Sequence, residues 1–138
     1  MQDWGFDYLK LDFLYAAALD GIYQDPTQTR AEVLRKGLEA LRKAAGPEVT
    51  LLGCGCPLGS GLGVFEVMSI SADVSGNWTP HYPPLSPLLR KEPHMPAARN
   101  AIQNILSRAS QHRKEWINDP NCLLVRPDTD LTLAEVQT

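Results

Sequence analysis

Segments with strand-like and helix-like patterns alternate along this chain, and the alternation constrains its fold more than any other feature. Four apolar-rich runs have the composition of buried strands. These runs are residues 4–15, 49–55, 67–74 and 116–126. Residues 29–45 and 96–112 instead repeat apolar side chains every three or four positions, as helices lying on a sheet do. The order predicts an α/β fold with parallel strands and right-handed crossovers.

Two architectures fit this alternation: an open doubly wound sheet and part of a (β/α)8 barrel. No G-x-G-x-x-G motif follows the first strand, which disfavours dinucleotide binding. A complete barrel needs about 250 residues, so a chain of 138 residues would hold about half of one. An open-sheet protein is the remaining alternative.

Charge and cysteine content disfavour several classes of partner and cofactor. The net charge is −3 with no basic block, so neither nucleic acid nor an anionic membrane is expected as a partner. Three cysteines do not make a disulfide framework, and His81, His94 and His112 are too scattered for a zinc site. We therefore expect no metal and no cofactor. No signal peptide or long apolar run is visible, so a cytoplasmic location is expected.

Acidic side chains occupy the polar faces of two predicted strands near their carboxyl ends. Lys10 and Asp12 share one face of the first strand, and Asp73 ends the polar face of the third. Charged groups there are costly to bury unless they form ion pairs or take part in catalysis or binding. In α/β barrels the active site lies at the carboxyl ends of the strands. The alternatives are an active site and structural ion pairs.

Two carboxylates facing one cleft are the catalytic groups of glycoside hydrolases. A separation of about 5 Å between the two carboxylates would indicate a retaining enzyme. Lys10 could keep Asp12 ionised and hold a sugar hydroxyl. Cys54 shares strand parity with Cys56 and could face the same cleft, or both could be small buried thiols. Trp78, in the turn after the third strand, could stack on a ligand. The glycine-rich residues 59–63 lack a phosphate-loop lysine and are interpreted as a turn.

Four motifs in order resemble the microbial α-galactosidases of glycoside hydrolase family 36, in the melibiase clan. Residues 10–18 resemble the family's nucleophile strand, and residues 52–58 its next strand. Residues 69–74, with Trp78 after them, are similar to the acid/base strand, and residues 116–126 to the segment that follows. The resemblance implies a partial (β/α)8 TIM barrel, approximately strands four to seven with their helices. Residues 1–138 would then be a single segment, the central half of the catalytic domain.

The resemblance also implies an activity and a role for each matching residue. Asp12 would be the nucleophile and Asp73 the acid/base of a retaining α-galactosidase that works through a covalent glycosyl-aspartate. Lys10 and Cys54 would line the sugar site. Ser69 and Trp78 are the other candidate substrate-binding residues, and the expected partner is an α-galactoside.

The chain departs from the family pattern at three places. The family usually has arginine where Ser69 stands, Gly-Pro at residues 71–72, and aspartate where Asn121 stands. Compared with arginine, Ser69 leaves more room in the site or removes a pair of hydrogen-bond donors. Either difference would affect the preference for α-galactosides. The alternative function is accordingly a catalytically inert sugar-binding or scaffold fragment of the same fold.

A half barrel has unpaired strands at both edges of its sheet, and such edges template pairing with another chain. We therefore expect self-association through the open edges, and little or no activity from the isolated segment.

Overall fold

The computed structural model describes residues 5–122, 124 and 129–137, and it divides into two compact units. The first unit holds the residues up to Ser69 together with Gln111–Asp119. The second holds Ile70–Ser110 and the residues from Pro120 onward. Parts of two predicted strands, residue 4 of the first and residues 123, 125 and 126 of the last, lie outside the described residues.

A four-stranded, wholly parallel sheet forms the centre of the first unit. Its strands stand in the order of the sequence, as expected when each crossover returns beside the preceding strand. They are β1 (Tyr8–Leu11), β2 (Thr50–Gly53), β3 (Val67–Ser69) and β4 (Ile117–Asp119). This topology confirms the predicted parallel α/β arrangement, although every strand is shorter than its apolar run.

The first strand ends earlier than its apolar pattern predicts. Phe13 has a φ of 54°, in the left-handed region, and is 65% exposed. Strand alternation through residues 4–15 would place Phe13 on one packed face with Leu9 and Leu11, and this expectation is wrong because the left-handed turn breaks the alternation. A 3-10 helix, Leu14–Ala18, follows directly.

The helix α1 (Arg30–Ala45) begins where its capping signal predicts. The hydroxyl of Thr29 accepts the N–H of Glu32, and a carboxylate oxygen of Glu32 accepts the N–H of Thr29 at 2.7 Å. Leu34 and Leu38 are buried as expected, whereas Leu41, predicted on the same stripe, is 42% exposed.

One arginine ties the end of α1 to the starts of two strands. The guanidinium of Arg42 donates to the carbonyls of Val49 and Val64, and it forms an ion pair with Glu66 at 2.7 Å. The same carboxylate oxygen of Glu66 accepts the N–H of Leu51 at 2.8 Å. This network fixes the amino ends of β2 and β3 relative to the helix, and so fixes where their carboxyl ends fall.

The glycine-rich segment after β2 begins as a short helix, α2 (Leu58–Gly61), and only Leu62 and Gly63 form the predicted turn. Packing favours a glycine at position 61, since an added Cβ would lie 2.6 Å from the Cε of Met68 and 3.1 Å from the Cδ2 of Phe65. Close packing on the sheet therefore explains a glycine that resembles part of a phosphate loop.

The second unit contains three helices among its described residues. They are α3 (Ser86–Leu89), α4 (Ala98–Arg108) and α5 (Leu133–Val136), and a 3-10 helix, Ala109–Gln111, continues α4. Residues 79–93 contain five prolines, and they nevertheless include α3. Thr132 is the N-cap of α5 and forms a capping box with Glu135.

The buried face of α4 differs from the predicted apolar stripe. Leu106 is 72% exposed and Ile105 36%, whereas Asn100 is buried. The amide of Asn100 donates to the carbonyls of Glu92 and Met95, both at 2.8 Å. These bonds draw the preceding segment onto the helix along a face that hydrophobicity does not mark.

Loop carbonyls provide the partners for the first turn of α4. Its N-cap, Ala97, has no side-chain acceptor. The N–H of Ala98 donates to the carbonyl of Asn77 at 3.0 Å, and the N–H of Arg99 to that of Trp78 at 3.1 Å. The turn after β3 is thereby attached to the start of α4. Across the described part of the chain, no helix has the length and apolarity needed to cross a bilayer.

Candidate active site

A row of polar side chains crosses the sheet at the carboxyl ends of its strands. Leu11 pairs with Gly53, Gly53 with Met68, and Ser69 with Asp119. The residues that follow Leu11, Gly53 and Met68 are therefore level with Asp119, the last residue of β4. Their side chains share one face of the sheet, and neighbouring strands lie about 4.8 Å apart. This carboxyl-end row consists of Asp12, Cys54, Ser69 and Asp119.

Asp12 is the carboxylate at the β1 end of the row. Its Oδ1 accepts the N–H of Phe13 at 2.7 Å. The thiol of Cys54 hydrogen-bonds to the carboxylate and is the largest cause of its lowered pKa, followed by the Phe13 N–H and the nearby charge of Lys10. Asp12 is exposed. An ionised, oriented and accessible carboxylate is suited to nucleophilic attack.

The left-handed conformation of Phe13 accounts for the hydrogen bond to Asp12. It turns the chain sharply after β1, so the Phe13 N–H reaches the preceding side chain. The turned segment is held on the end of β2, because Tyr15 donates to the carbonyl of Gly55 at 2.8 Å and Leu14 to that of Cys54. Sequence reasoning missed this role, since Phe13 matches the strand alternation and nothing local predicts a positive φ.

Burial makes Cys54 a neutral donor. It is 9% exposed, and burial, followed by its hydrogen bond to Asp12, raises the pKa of its thiol. Cys56 is also buried, and burial raises its pKa to about 11. Both cysteines are free. Cys54 thus contacts the candidate nucleophile, whereas Cys56 is a buried thiol without reactive character.

Four of the six predicted site residues come together in the first unit. Lys10 lies on the same face as Asp12, two residues earlier, and its charge acts on both Asp12 and Cys54. Ser69 is 7% exposed and hydrogen-bonds to the Cys54 thiol. Asp119 completes the row, although sequence reasoning gave it no role. Its place is apparent only from the strand register.

The other two predicted residues lie in the second unit. Asp73 is exposed and follows directly on residues 71–72, whose polar atoms bond to Asn121. Trp78 is half-buried, with its carbonyl bonded to α4. That Asp73 faces Asp12 across one cleft stays a prediction.

A metal centre finds no support in the described ranges, where no three or more His, Cys, Asp or Glu side chains are grouped to hold an ion. The polar groups of the row are two carboxylates, a thiol and a hydroxyl, and the amine of Lys10 lies on the same face.

No family model matches this chain. Among solved structures it is similar to the α-galactosidase TtGalA from Thermus thermophilus in complex with stachyose, at 34% identity and a TM-score of 0.74, over 99% of this chain and 28% of that one. The match to TtGalA in complex with p-nitrophenyl α-D-galactopyranoside has the same identity and TM-score and covers 26% of that chain. α-Galactosidase I from Mortierella vinacea matches at 20% identity and a TM-score of 0.57, over 92% of this chain and 32% of that one, which shows the fold alone.

This chain therefore spans about a quarter of the length of the Thermus enzyme that it matches. The likeness confirms the predicted resemblance to family 36 α-galactosidases, and it confirms the fold as a partial α/β barrel.

Proposed function

From this likeness to family 36 α-galactosidases, we propose that the chain carries the nucleophile and the acid/base of a retaining hydrolase that cleaves terminal α-galactosides. The observation that supports the proposal most is the ionised Asp12 at the carboxyl end of β1, oriented by the Phe13 N–H and the Cys54 thiol. The matched Thermus enzyme was solved in complex with stachyose and with a nitrophenyl galactoside.

The proposed reaction has two displacements at the anomeric carbon. A carboxylate oxygen of Asp12 attacks that carbon while Asp73 protonates the departing glycosidic oxygen, which forms a glycosyl ester and frees the leaving group as an alcohol. Asp73, now ionised, then removes a proton from water. The water oxygen attacks the anomeric carbon, and Asp12 leaves as a carboxylate. Two inversions give net retention.

The neighbouring residues would bind and orient the sugar around this reaction. Lys10, exposed beside Asp12, would donate to a sugar hydroxyl, and its charge helps to keep the nucleophile ionised. Ser69 would offer one hydroxyl where the family usually offers a guanidinium. Trp78 would stack on the apolar face of a sugar ring.

A second candidate function is that of a catalytically inert sugar-binding or scaffold segment. The observation in its favour is the uncharged, 7% exposed Ser69 at the centre of the row. A site that lacks the arginine could still hold a sugar through Lys10 and Cys54 but would contact it with fewer charged donors.

The proposal is tested by removing the nucleophile from the longest protein that contains this segment and assaying hydrolysis of p-nitrophenyl α-D-galactopyranoside. Asp12→Gly should lower turnover by about 10³-fold or more, because no covalent intermediate can form. Added azide should restore part of the rate by attacking in place of the carboxylate. Wild-type turnover in D12G would contradict the assigned role.

Asp7→Gly is the matched control, since Asp7 is an exposed aspartate just before β1 and has no proposed part in the reaction. It should leave turnover unchanged. The 138-residue chain is assayed beside it. Sugar binding without hydrolysis in every form of the protein would favour the inert alternative.

A further inference from the structure

Beyond the end of β3, side chains donate hydrogen bonds to the backbone carbonyls, as the N–H groups of a neighbouring strand would. The paired register of β3 stops at Ser69. The next carbonyl, that of Ile70, accepts the guanidinium of Arg108. The carbonyl of Ala72 accepts the Ser71 hydroxyl at 2.8 Å and the amide of Asn121 at 3.2 Å. The backbone is thus restrained up to the residue before Asp73.

The bonds around Ala72 have fixed directions. The Nδ2 of Asn121 donates one hydrogen to the Ser71 hydroxyl oxygen at 2.9 Å and the other to the Ala72 carbonyl. Ser71 gives its only hydrogen to the same carbonyl, which leaves its oxygen free to accept. An ionised carboxylate at position 121 has no hydrogen to give, so it cannot replace the amide.

The three residues of this set are also places where the chain departs from the family pattern. The family usually has Gly-Pro at positions 71–72 and aspartate at position 121, whereas this chain has Ser71, Ala72 and Asn121. In this chain the three residues bond to one another. Asn121 has a φ of 69°, a conformation that asparagine tolerates better than most residues.

We propose that Asn121 is a positioning residue for Asp73. With Ser71, it restrains the backbone from which the Asp73 carboxyl projects, which limits the directions in which that group can present its proton. The inference rests on the acid/base role given to Asp73 above. The restraint itself exists whether or not the chain turns over a galactoside.

The experiment measures backbone order in the 138-residue chain by ¹⁵N relaxation, which needs no catalytic activity. In the wild-type chain the order parameter of Asp73 should be near that of rigid backbone, about 0.85. Asn121→Ala removes both donated hydrogens, and the order parameter at Asp73 should fall below about 0.6. An unchanged value in N121A would overturn the proposal.

Asn121→Asp gives a pH-dependent readout that a general loss of packing would not give. Near neutral pH its carboxylate cannot donate, so Asp73 should be as mobile as in N121A. Below about pH 4 the introduced carboxyl binds a proton, and its O–H can donate to the Ala72 carbonyl. Order at Asp73 should then return in N121D but not in N121A. Wild-type order in N121D at neutral pH would contradict the proposal.

Asn104→Ala is the matched control. The amide of Asn104 donates to the carbonyl of Asn100 within the same unit, and its loss should leave Asp73 ordered. If N121A does not fold, the milder change Ser71→Ala tests the proposal through the same order parameter at Asp73. It removes one donor and one acceptor, so order should fall by less, and no fall would count against the proposal. Failed galactoside hydrolysis would refute the proposed function and leave these relaxation results standing.

Discussion

At the scale of single residues, Asp12 and Cys54 depend on each other. The thiol is kept neutral by burial, so it can donate, and its hydrogen bond is the first cause of the lowered pKa of Asp12. A group whose pKa is lower in the folded state stabilises the fold above the ordinary carboxyl range. That contribution is lost as pH falls through the lowered value. The pair therefore links ionisation of the candidate nucleophile to folding.

Replacing the thiol should weaken this link. In Cys54→Ala the largest cause of the shift disappears, so the pKa of Asp12 should rise toward its ordinary value. The Phe13 N–H and Lys10 would retain part of the shift. The measurement is a ¹³C NMR titration of the Asp12 carboxyl carbon.

Cys54→Ser is the matched control for that titration, because its hydroxyl can still donate. It should keep the pKa of Asp12 lower than C54A does. The same titration midpoint in C54A and the wild-type chain would show that the thiol is not the donor.

Residue positions could be predicted where strand parity decides them. Lys10 and Asp12 share a face because they are two apart on a strand, and Cys54 and Ser69 follow from the motifs and the parallel order. Phe13 could not be predicted. Its positive φ arises from contacts with the end of β2, which lie about forty residues away in the chain.

At the scale of elements, α1 and α5 offer an internal comparison of the same cap. Thr29 and Thr132 both form complete capping boxes, one on a helix of 16 residues and the other on a helix of 4. Thr29→Ala should lower the free energy of unfolding by about 1 kcal/mol. Thr132→Ala should cost less, since a single turn contributes little to stability. Urea unfolding of both variants measures the difference, and equal losses would contradict it.

The helices could be predicted to the extent that their signals are local. The bounds of α1 follow from its cap and from Gly46, which takes a φ of 82° at the end of the helix. The buried face of α4 does not follow from its sequence, because Asn100 is buried to satisfy the carbonyls of Glu92 and Met95. Hydrophobic periodicity indicates only the apolar part of what a helix buries.

At the scale of the whole molecule, the sheet has two outer strands. Each of β1 and β4 has one neighbour in the described sheet, and each presents an exposed apolar residue, Tyr8 at 48% and Ile117 at 51%. Exposed edges with apolar side chains favour pairing with further strands. The order of the strands could be predicted from alternation alone, whereas their lengths depend on turns that alternation does not mark.

We predict that the 138-residue chain self-associates through these edges, and sedimentation velocity at increasing concentration measures it. Ile117→Lys should shift the distribution toward the monomer, because a charge on an edge strand opposes pairing. Ile22→Lys is the control, since Ile22 is fully exposed in a loop. A wild-type chain that stays monomeric at high concentration would contradict the prediction.

The two loop carbonyls that cap α4 make the start of that helix depend on an earlier part of the second unit. Whereas α1 carries its own start signal, the first turn of α4 receives its partners from Asn77 and Trp78, about twenty positions earlier. Without those two carbonyls, the first N–H groups of α4 would lack their backbone partners. The segment bearing Trp78 is thus a template for the helix, and any event that displaces it would unwind α4 from its amino end.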